Sequence, residues 1–456
     1  MAQIRRMLDR ARSDDGMSLI EVIVAMLVFA VISLGVAYST VTIIKMTNDT
    51  RSRQVATNLA TSQIDYARGL QDPFLVTNDE IVTTIGQRTY TLTQTVSWVD
   101  AGGNDVGCGT GTGVMQSKRV NVTVKWDNML STTPAVRVDT LISPDDRIND
   151  PNLGTIRISV LGVAGTGMAN VGVTISPTSG GAALKDQPAP TNSDGCSFAL
   201  KVTPGTYSVT INRSNSVDTN QATSPSKSVT VVAGGSIAAL FQYDYAATFG
   251  LTYSAASGAL LPTDLDTTFL STYGAYVSSG GAKTQVLLHP VPSGYAGVAG
   301  KYIAPIPNGN QGCINVDPAA WPAGTVNGKA LNAGVRMDNV AAAPQGSASM
   351  TIPLGSMTVT VPSNSYLFAV SVAGAAGSGD PGCAAAPTYS FGKLSGAKTI
   401  ALPYGSWVLY YGANANGSGK LPVPASSVGL VGGVLGSVTT ILAGGATVTL
   451  DPRTAK

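Results

Sequence analysis

Residues 14–26 read DDGMSLIEVIVAM and place one glutamate, Glu21, inside an apolar run that continues from Met17 to Ile44. As a helix that run is about 42 Å long at roughly 1.5 Å per residue, against about 30 Å for the hydrocarbon core of a bilayer. It is long enough to span a membrane. Residues 1–16 carry Arg5, Arg6, Arg10 and Arg12, which the positive-inside rule keeps on the cytoplasmic side. A secretory signal has an apolar region of about 7 to 15 residues, so this run is too long for one, although Ala37-Tyr38-Ser39 offers an A-x-S cleavage site. An uncleaved anchor accounts for everything except Glu21. A carboxylate near the end of such a helix sits at the interface at modest cost, whereas deeper placement costs about 2.5 to 3.5 kcal/mol.

The combination is more telling than Glu21 alone. Gly16, then Met17-Ser18-Leu19-Ile20-Glu21-Val22, then an unbroken apolar helix resembles the class III signal of type IV prepilins and pseudopilins. In that family a basic leader ends in Gly, and the fifth residue of the mature chain is Glu; Glu21 is fifth counting from Met17. The usual first mature residue is Phe, and Met17 departs from it. The resemblance covers residues 12 to 70. It implies cleavage after Gly16 by a prepilin peptidase, N-methylation of Met17, and packing of the helix among other pilin subunits through an assembly platform in the membrane. Cleavage would create a cationic amine at Met17. An amine buried in a filament core needs an anion, because an unpaired buried charge is prohibitive, and Glu21 of a neighbouring subunit would supply it. Such a pair would also set axial register, as a polar residue does in a coiled-coil seam.

The helix is expected to continue through residues 45–70, with Val55, Leu59, Tyr66 and Leu70 forming an apolar stripe that packs on a sheet, and to stop near Gly69 and Asp72-Pro73. Beyond it the chain reads as β. RTYTLTQTVSW, RVNVTVKW and AVRVDTLIS alternate polar and apolar, which predicts an antiparallel meander. The intervening loop AGGNDVGCGTGTG is not a dinucleotide fingerprint, since Gly109, Gly111 and Gly113 lack the G-x-G-x-x-G spacing.

An internal repeat follows. Leu153–Val160 is echoed by Leu354–Val361, Thr203–Val209 by Leu402–Val408, and Thr230–Ser236 by Thr440–Ala446, at offsets of 199 to 210 residues. Two copies of one β-sandwich are expected. TNSDGCSFALKVTPGTYSVTI in the first resembles the carboxypeptidase regulatory-like and collagen-adhesin B-type modules, a likeness that carries no catalytic residues. Asp194-Gly195 is expected to form a hairpin turn, Pro204-Gly205 a type II turn, and Tyr207 to point inward.

The expected fold class is α+β, mainly β: a long N-terminal transmembrane and stem helix, a small antiparallel pilin head, then β-sandwich domains, one apparently duplicated. The expected divisions are a leader at 1–16, the helix at 17–70, the head at 71–148, a sandwich at 152–245, a β-rich domain at 246–351 and a second sandwich at 352–456. Cys108, Cys196, Cys313 and Cys383 show no C-x-x-C spacing. Each sandwich has a cysteine after a turn, and the region before it has one in a Gly-rich loop. That symmetry suggests Cys108 with Cys196 and Cys313 with Cys383, one of three connectivities, with buried free cysteines as the alternative.

A chemical role finds little support. The only histidine, His289, lies between Leu288 and Pro290 in an apolar run, so a packed or surface histidine is favoured over a catalytic or zinc-binding one. The acids Asp145, Asp146 and Asp150 lie in a linker without the spacing of a calcium loop. No cofactor and no metal are expected. A net charge of +2, with no basic cluster beyond the N-terminus, argues against a nucleic-acid groove. The sequence therefore points to a non-enzymatic type IV pilus subunit, minor or tip-located, that serves adhesion to a surface or host ligand or primes assembly. The alternatives are a pseudopilin of a secretion or DNA-uptake machine and an uncleaved membrane-anchored surface protein. The expected location is the cytoplasmic membrane, then the cell-surface pilus.

Overall fold

The computed structural model describes residues 19–70, 73–99, 105–106, 108, 117–129, 133–143, 150–306, 312–326, 328–431, 435–440 and 446–456. Among the described residues one long α-helix, three single-turn 3-10 helices and many strands make it an α+β, mainly β protein. The chain divides into two compact units, residues 1–107 with 113–148 and residues 108–112 with 149–456.

The first unit is a helix on a sheet. Helix α1, Leu19–Gly69, ends in a turn carrying Arg68, a cation placed where the helix dipole favours one. The sheet comprises β1 (Asp79–Ile85), β2 (Arg88–Val99), the short β3 (Asp105–Val106), β4 (Ser117–Trp126) and β5 (Val136–Ile142). Its order is β1-β2-β4-β5, with β3 on β2, and all pairs are antiparallel. Gly86 at φ 64° allows the two-residue turn that pairs Ile85 with Arg88. Along β4 every second residue is buried, and Val120, Val122, Val124 and Trp126 form the floor on which the helix lies.

The helix lies there on a different stripe from the expected one. Its buried apolar residues are Ala56, Ala60, Ile64 and Ala67, while Val55, Leu59 and Leu70 flank them half-buried. Tyr66, expected in the contact, is 63% exposed. Small side chains let a helix backbone approach the sheet closely, so the larger apolar residues on either side become the rim of the contact.

In the second unit residues 154–245 form a two-layer sandwich. Its strands are β6 (Gly154–Leu161), β7 (Gly172–Ser179), β8 (Cys196–Val202), β9 (Gly205–Asn212), β10 (Ser216–Asp218), β11 (Ser226–Val231) and β12 (Ser236–Tyr245). One sheet runs β10-β12-β6-β8 and the other β11-β9-β7, with Ile156, Ile158, Tyr207, Val209 and Phe241 among the residues between them. Gly195 has φ 72° and closes the loop Asn192–Cys196, but β7 and β8 lie in different sheets, so the turn is not a hairpin between paired strands. Gly205 has φ 155°, not the +80° or so of a type II turn. A Cβ there would stand 2.3 Å from the Gly181 amide nitrogen, so glycine is required by the close approach.

The expected boundary at 351/352 does not separate two cores. Ala247–Ser254 pairs antiparallel with Gln285–Leu288 and parallel with Ser347–Pro353, and Phe249, Phe269 and Leu288 share one cluster with Leu367, Trp407 and Leu450. Residues 355–451 contribute one seven-stranded sheet, whose main path runs Thr388–Leu402, Gly355–Val372, Gly405–Gly412, Ala446–Asp451, Leu435–Thr440.

The two repeat copies agree in their turns and in one strand pair, and differ in the next. Tyr207 donates its hydroxyl to Thr203 O at 2.8 Å and Trp407 its indole N–H to Pro403 O at 2.9 Å, each four residues back and each two residues after a glycine. Strand β6 pairs antiparallel with β8, as its counterpart 355–361 does with 396–402, but its second partner is β12 in parallel, whereas 357–359 pairs antiparallel with 428–430. The Ala233-Gly234-Gly235 link carries the chain from one sheet to the other in the first copy; in the second copy Ala443-Gly444-Gly445 lie outside the described residues, and the strands before and after them, Leu435–Thr440 and Ala446–Asp451, pair within one sheet. Local turn chemistry and the strand pair beside it are repeated; the choice of the second partner strand is set by the rest of each core.

Candidate functional site

The N-terminal half of α1 is an apolar surface with no cover. Leu19, Ile23, Leu27, Phe29, Leu34 and Ile43 are each more than half exposed, and none of the residues in its most apolar window is buried. It is the one helix among the described residues long and apolar enough to cross a membrane. Burying a single side chain of this kind gains about 1.5 to 3 kcal/mol, so a surface of this extent requires lipid or other helices around it. Two threonine hydroxyls of the segment are satisfied within the helix: Thr40 donates to Val36 O at 2.8 Å and Thr42 to Tyr38 O at 2.9 Å, which lowers the cost of placing them in hydrocarbon.

Glu21 is exposed in the first turn of this helix, where the dipole favours an anion. It is the only acid between Met17 and Asn48. The expected cleavage and methylation sites, Gly16 and Met17, lie outside the described residues.

Where the apolar run ends, Asp49 begins the seat on the head. It is 8% exposed and accepts from Trp126 Nε1 at 3.2 Å and from Thr133 Oγ1 at 2.7 Å. Gln63 donates to Gln94 Oε1 at 3.0 Å and Arg68 donates through Nη2 to Thr140 Oγ1 at 2.6 Å, so polar contacts are spread along the seated half. Sequence reasoning passed over Asp49. Its partners stand 77 and 84 positions away, and no local pattern announces them.

The four cysteines form two bonds, Cys108–Cys196 and Cys313–Cys383, separated by 88 and 70 positions. Loops of that length constrain the unfolded chain by about 4 kcal/mol per bond in the chain-entropy picture. His289 is fully buried, its Nδ1 lies 3.2 Å from Val217 O, and burial pushes its pKa below the ordinary imidazole value. Its backbone N–H donates to Gln221 Oε1, and Tyr295 donates to its carbonyl at 2.8 Å, which makes it part of a packed polar network. Asp150 accepts from the Asn152 amide at 2.8 Å; Asp145 and Asp146 lie outside the described residues. Among the described residues no group of three or more His, Cys, Asp or Glu side chains is placed to hold a metal ion.

The chain resembles solved structures only faintly. The Bacillus anthracis TIE protein aligns at 12% identity over 74% of this chain and 68% of its own, with a TM-score of 0.20. A streptococcal ancillary pilin aligns at 8% identity over 59% and 79%, TM-score 0.18, and the major pilin subunit of Bacillus cereus at 11% over 66% and 95%, TM-score 0.18. No curated protein matches the chain. The family described as the prokaryotic N-terminal methylation motif matches residues 11–37, a span that contains Gly16, Met17, Glu21 and the start of the uncovered helix. The assignable identity of this chain thus resides in its N-terminus, which carries a prepilin-type methylation motif.

Proposed function

We propose that the protein is a type IV pilin-like filament subunit, minor or tip-located, whose β-rich body serves adhesion or primes assembly. The observation that carries this reading is the uncovered apolar N-terminal half of α1, which starts within the methylation motif and holds Glu21 as its only acid up to Asn48. A prepilin peptidase cleaves between Gly16 and Met17 and the new amine of Met17 is methylated. The helix waits in the cytoplasmic membrane and then moves through the assembly platform into a filament core of other subunits. There Glu21 of one subunit receives the Met17 amine of the next, since only a paired charge is tolerable in an apolar core. A body of more than three hundred residues beyond the head supports placement at few positions or at the tip, because repeating it along a thin shaft would crowd. No catalytic constellation is invoked.

The test is the intact mass of the N-terminal peptide from filaments sheared off the cell surface. A peptide beginning at N-methyl-Met17 is expected. A peptide retaining residues 1–16, or one beginning after Ser39, overturns the reading in favour of an anchored or secreted β protein. Recovery of the processed protein in the envelope with none in sheared filaments moves it to a pseudopilus.

A further inference from the structure

The outer face of the seven-stranded sheet carries lysines with aromatic supports and no acidic partners. In the register of that sheet Tyr366 lies opposite Lys393, and Phe368 opposite Tyr410, so all four side chains share a face. Leu367, Ala369 and Leu409, which alternate with them, point the other way into the core. Lys393 Nζ stands 5.5 Å from the centre of the Tyr366 ring, and Lys420 Nζ 4.9 Å from that of Tyr410 and 5.7 Å from that of Phe368. The ring faces hold the ammonium groups in place by their quadrupoles, and the stem of Lys420 covers Phe368, which is only 5% exposed although it faces away from the core.

Charge around this face is one-sided. Between Asp338 and Asp451 the sequence contains three lysines, Lys393, Lys398 and Lys420, and one acid, Asp380. Asp380 accepts from the Gly382 amide at 2.8 Å, and Asp264, which reaches the adjoining strand, accepts from the Ser390 amide at 2.9 Å. Among the described residues no ion pair involves Lys393 or Lys420. Beside them the exposed loop Ala413–Lys420 presents Asn414 and Asn416.

We propose that this face is a binding site for an acidic polysaccharide, whose carboxylate or sulfate groups pair with the Lys393 and Lys420 ammonium groups while its hydroxyls meet the asparagine loop. A single-stranded nucleic acid fits less well. It needs open ring faces for its bases and a track of cations for its phosphates, and here the faces of Phe368 and Tyr410 are occupied by Lys420. The site does not depend on filament assembly, so its failure and that of the filament reading are separable.

The experiment is calorimetric titration of the full chain in detergent with polygalacturonate, dextran sulfate, neutral dextran and oligothymidylate. Binding to one or both acidic polysaccharides is expected, weakening as salt rises, with none to neutral dextran. Preference for polygalacturonate or for dextran sulfate identifies carboxylate or sulfate as the recognised group. The double variant Lys393→Gln, Lys420→Gln should bind at least tenfold more weakly, Lys420→Arg should retain binding, and Lys283→Gln, in the loop between Gly274–Ser278 and Gln285–Leu288, should bind as the parent does. Equal binding to neutral dextran, tighter binding to oligothymidylate, or a double variant that binds like the parent with an unchanged thermal midpoint overturns the proposal.

Discussion

The two halves of α1 are one continuous helix with opposite requirements. Residues 19–48 turn large β-branched and leucine side chains outward all round, and residues 49–69 turn alanines inward along one line. Where the partner lies within the same chain, the contact is built from small residues and long-range polar bonds such as Asp49 to Trp126. Where the partner is lipid or another subunit, large apolar residues cover the whole circumference and one acid is spared. The surface of a helix records whether its neighbour is fixed or exchangeable.

Substitutions in the two halves should therefore fail differently. Glu21→Ala is expected to have the largest effect: surface filaments containing the protein fall to background, while membrane fractions hold as much of it as before. Filaments present at the parental level by shearing and immunoblot would break the contrast, because the exposed half would then need no specific partner. Ala60→Leu forces a branched side chain between helix and sheet and should destabilise the head by about 1 to 3 kcal/mol in thermal unfolding, with insertion untouched. Asp49→Asn keeps the shape but loses the charge that strengthens the bonds from Trp126 and Thr133; a loss of roughly 1 kcal/mol is expected, read by denaturant titration. Tyr66→Ala should change stability by less than about 0.5 kcal/mol, since its ring faces solvent, and a larger loss would show that the expected stripe is the operative one after all.

Much of the head and the helix was legible in sequence because their signals are local. Alternation in TYTLTQTVSW and RVNVTVKW needs no knowledge of the partner, and an apolar run of membrane length is legible by counting. The stripe was misplaced because large apolar residues attract attention, whereas close packing selected alanines. The repeat was legible at its turns, where Gly205 and Gly405 precede an inward aromatic, but not in the further strand partners that differ between its copies. Strand partners such as Ala247–Ser254 and Ser347–Pro353 are a hundred positions apart and leave no mark on either segment. For the same reason residues 246–351 read as a domain of their own, although their aromatic side chains complete a core whose other wall comes later in the chain. Of the candidate site, Glu21 stood out against its apolar surroundings; Asp49 was hidden by the distance to Trp126.

Strand Ala446–Asp451 lies inside the seven-stranded sheet, between Gly405–Gly412 and Leu435–Thr440, and its Val448 and Leu450 share a core with Phe249. This gives the body a timetable. In the filament subunit proposed above, the helix would enter the membrane while synthesis is still under way, but some two hundred residues would wait on the outer side until residue 451 had been made and exported. Folding of the body is thereby a late checkpoint: a chain interrupted before that strand is anchored but never finished, and a protease can remove it before it reaches a growing filament.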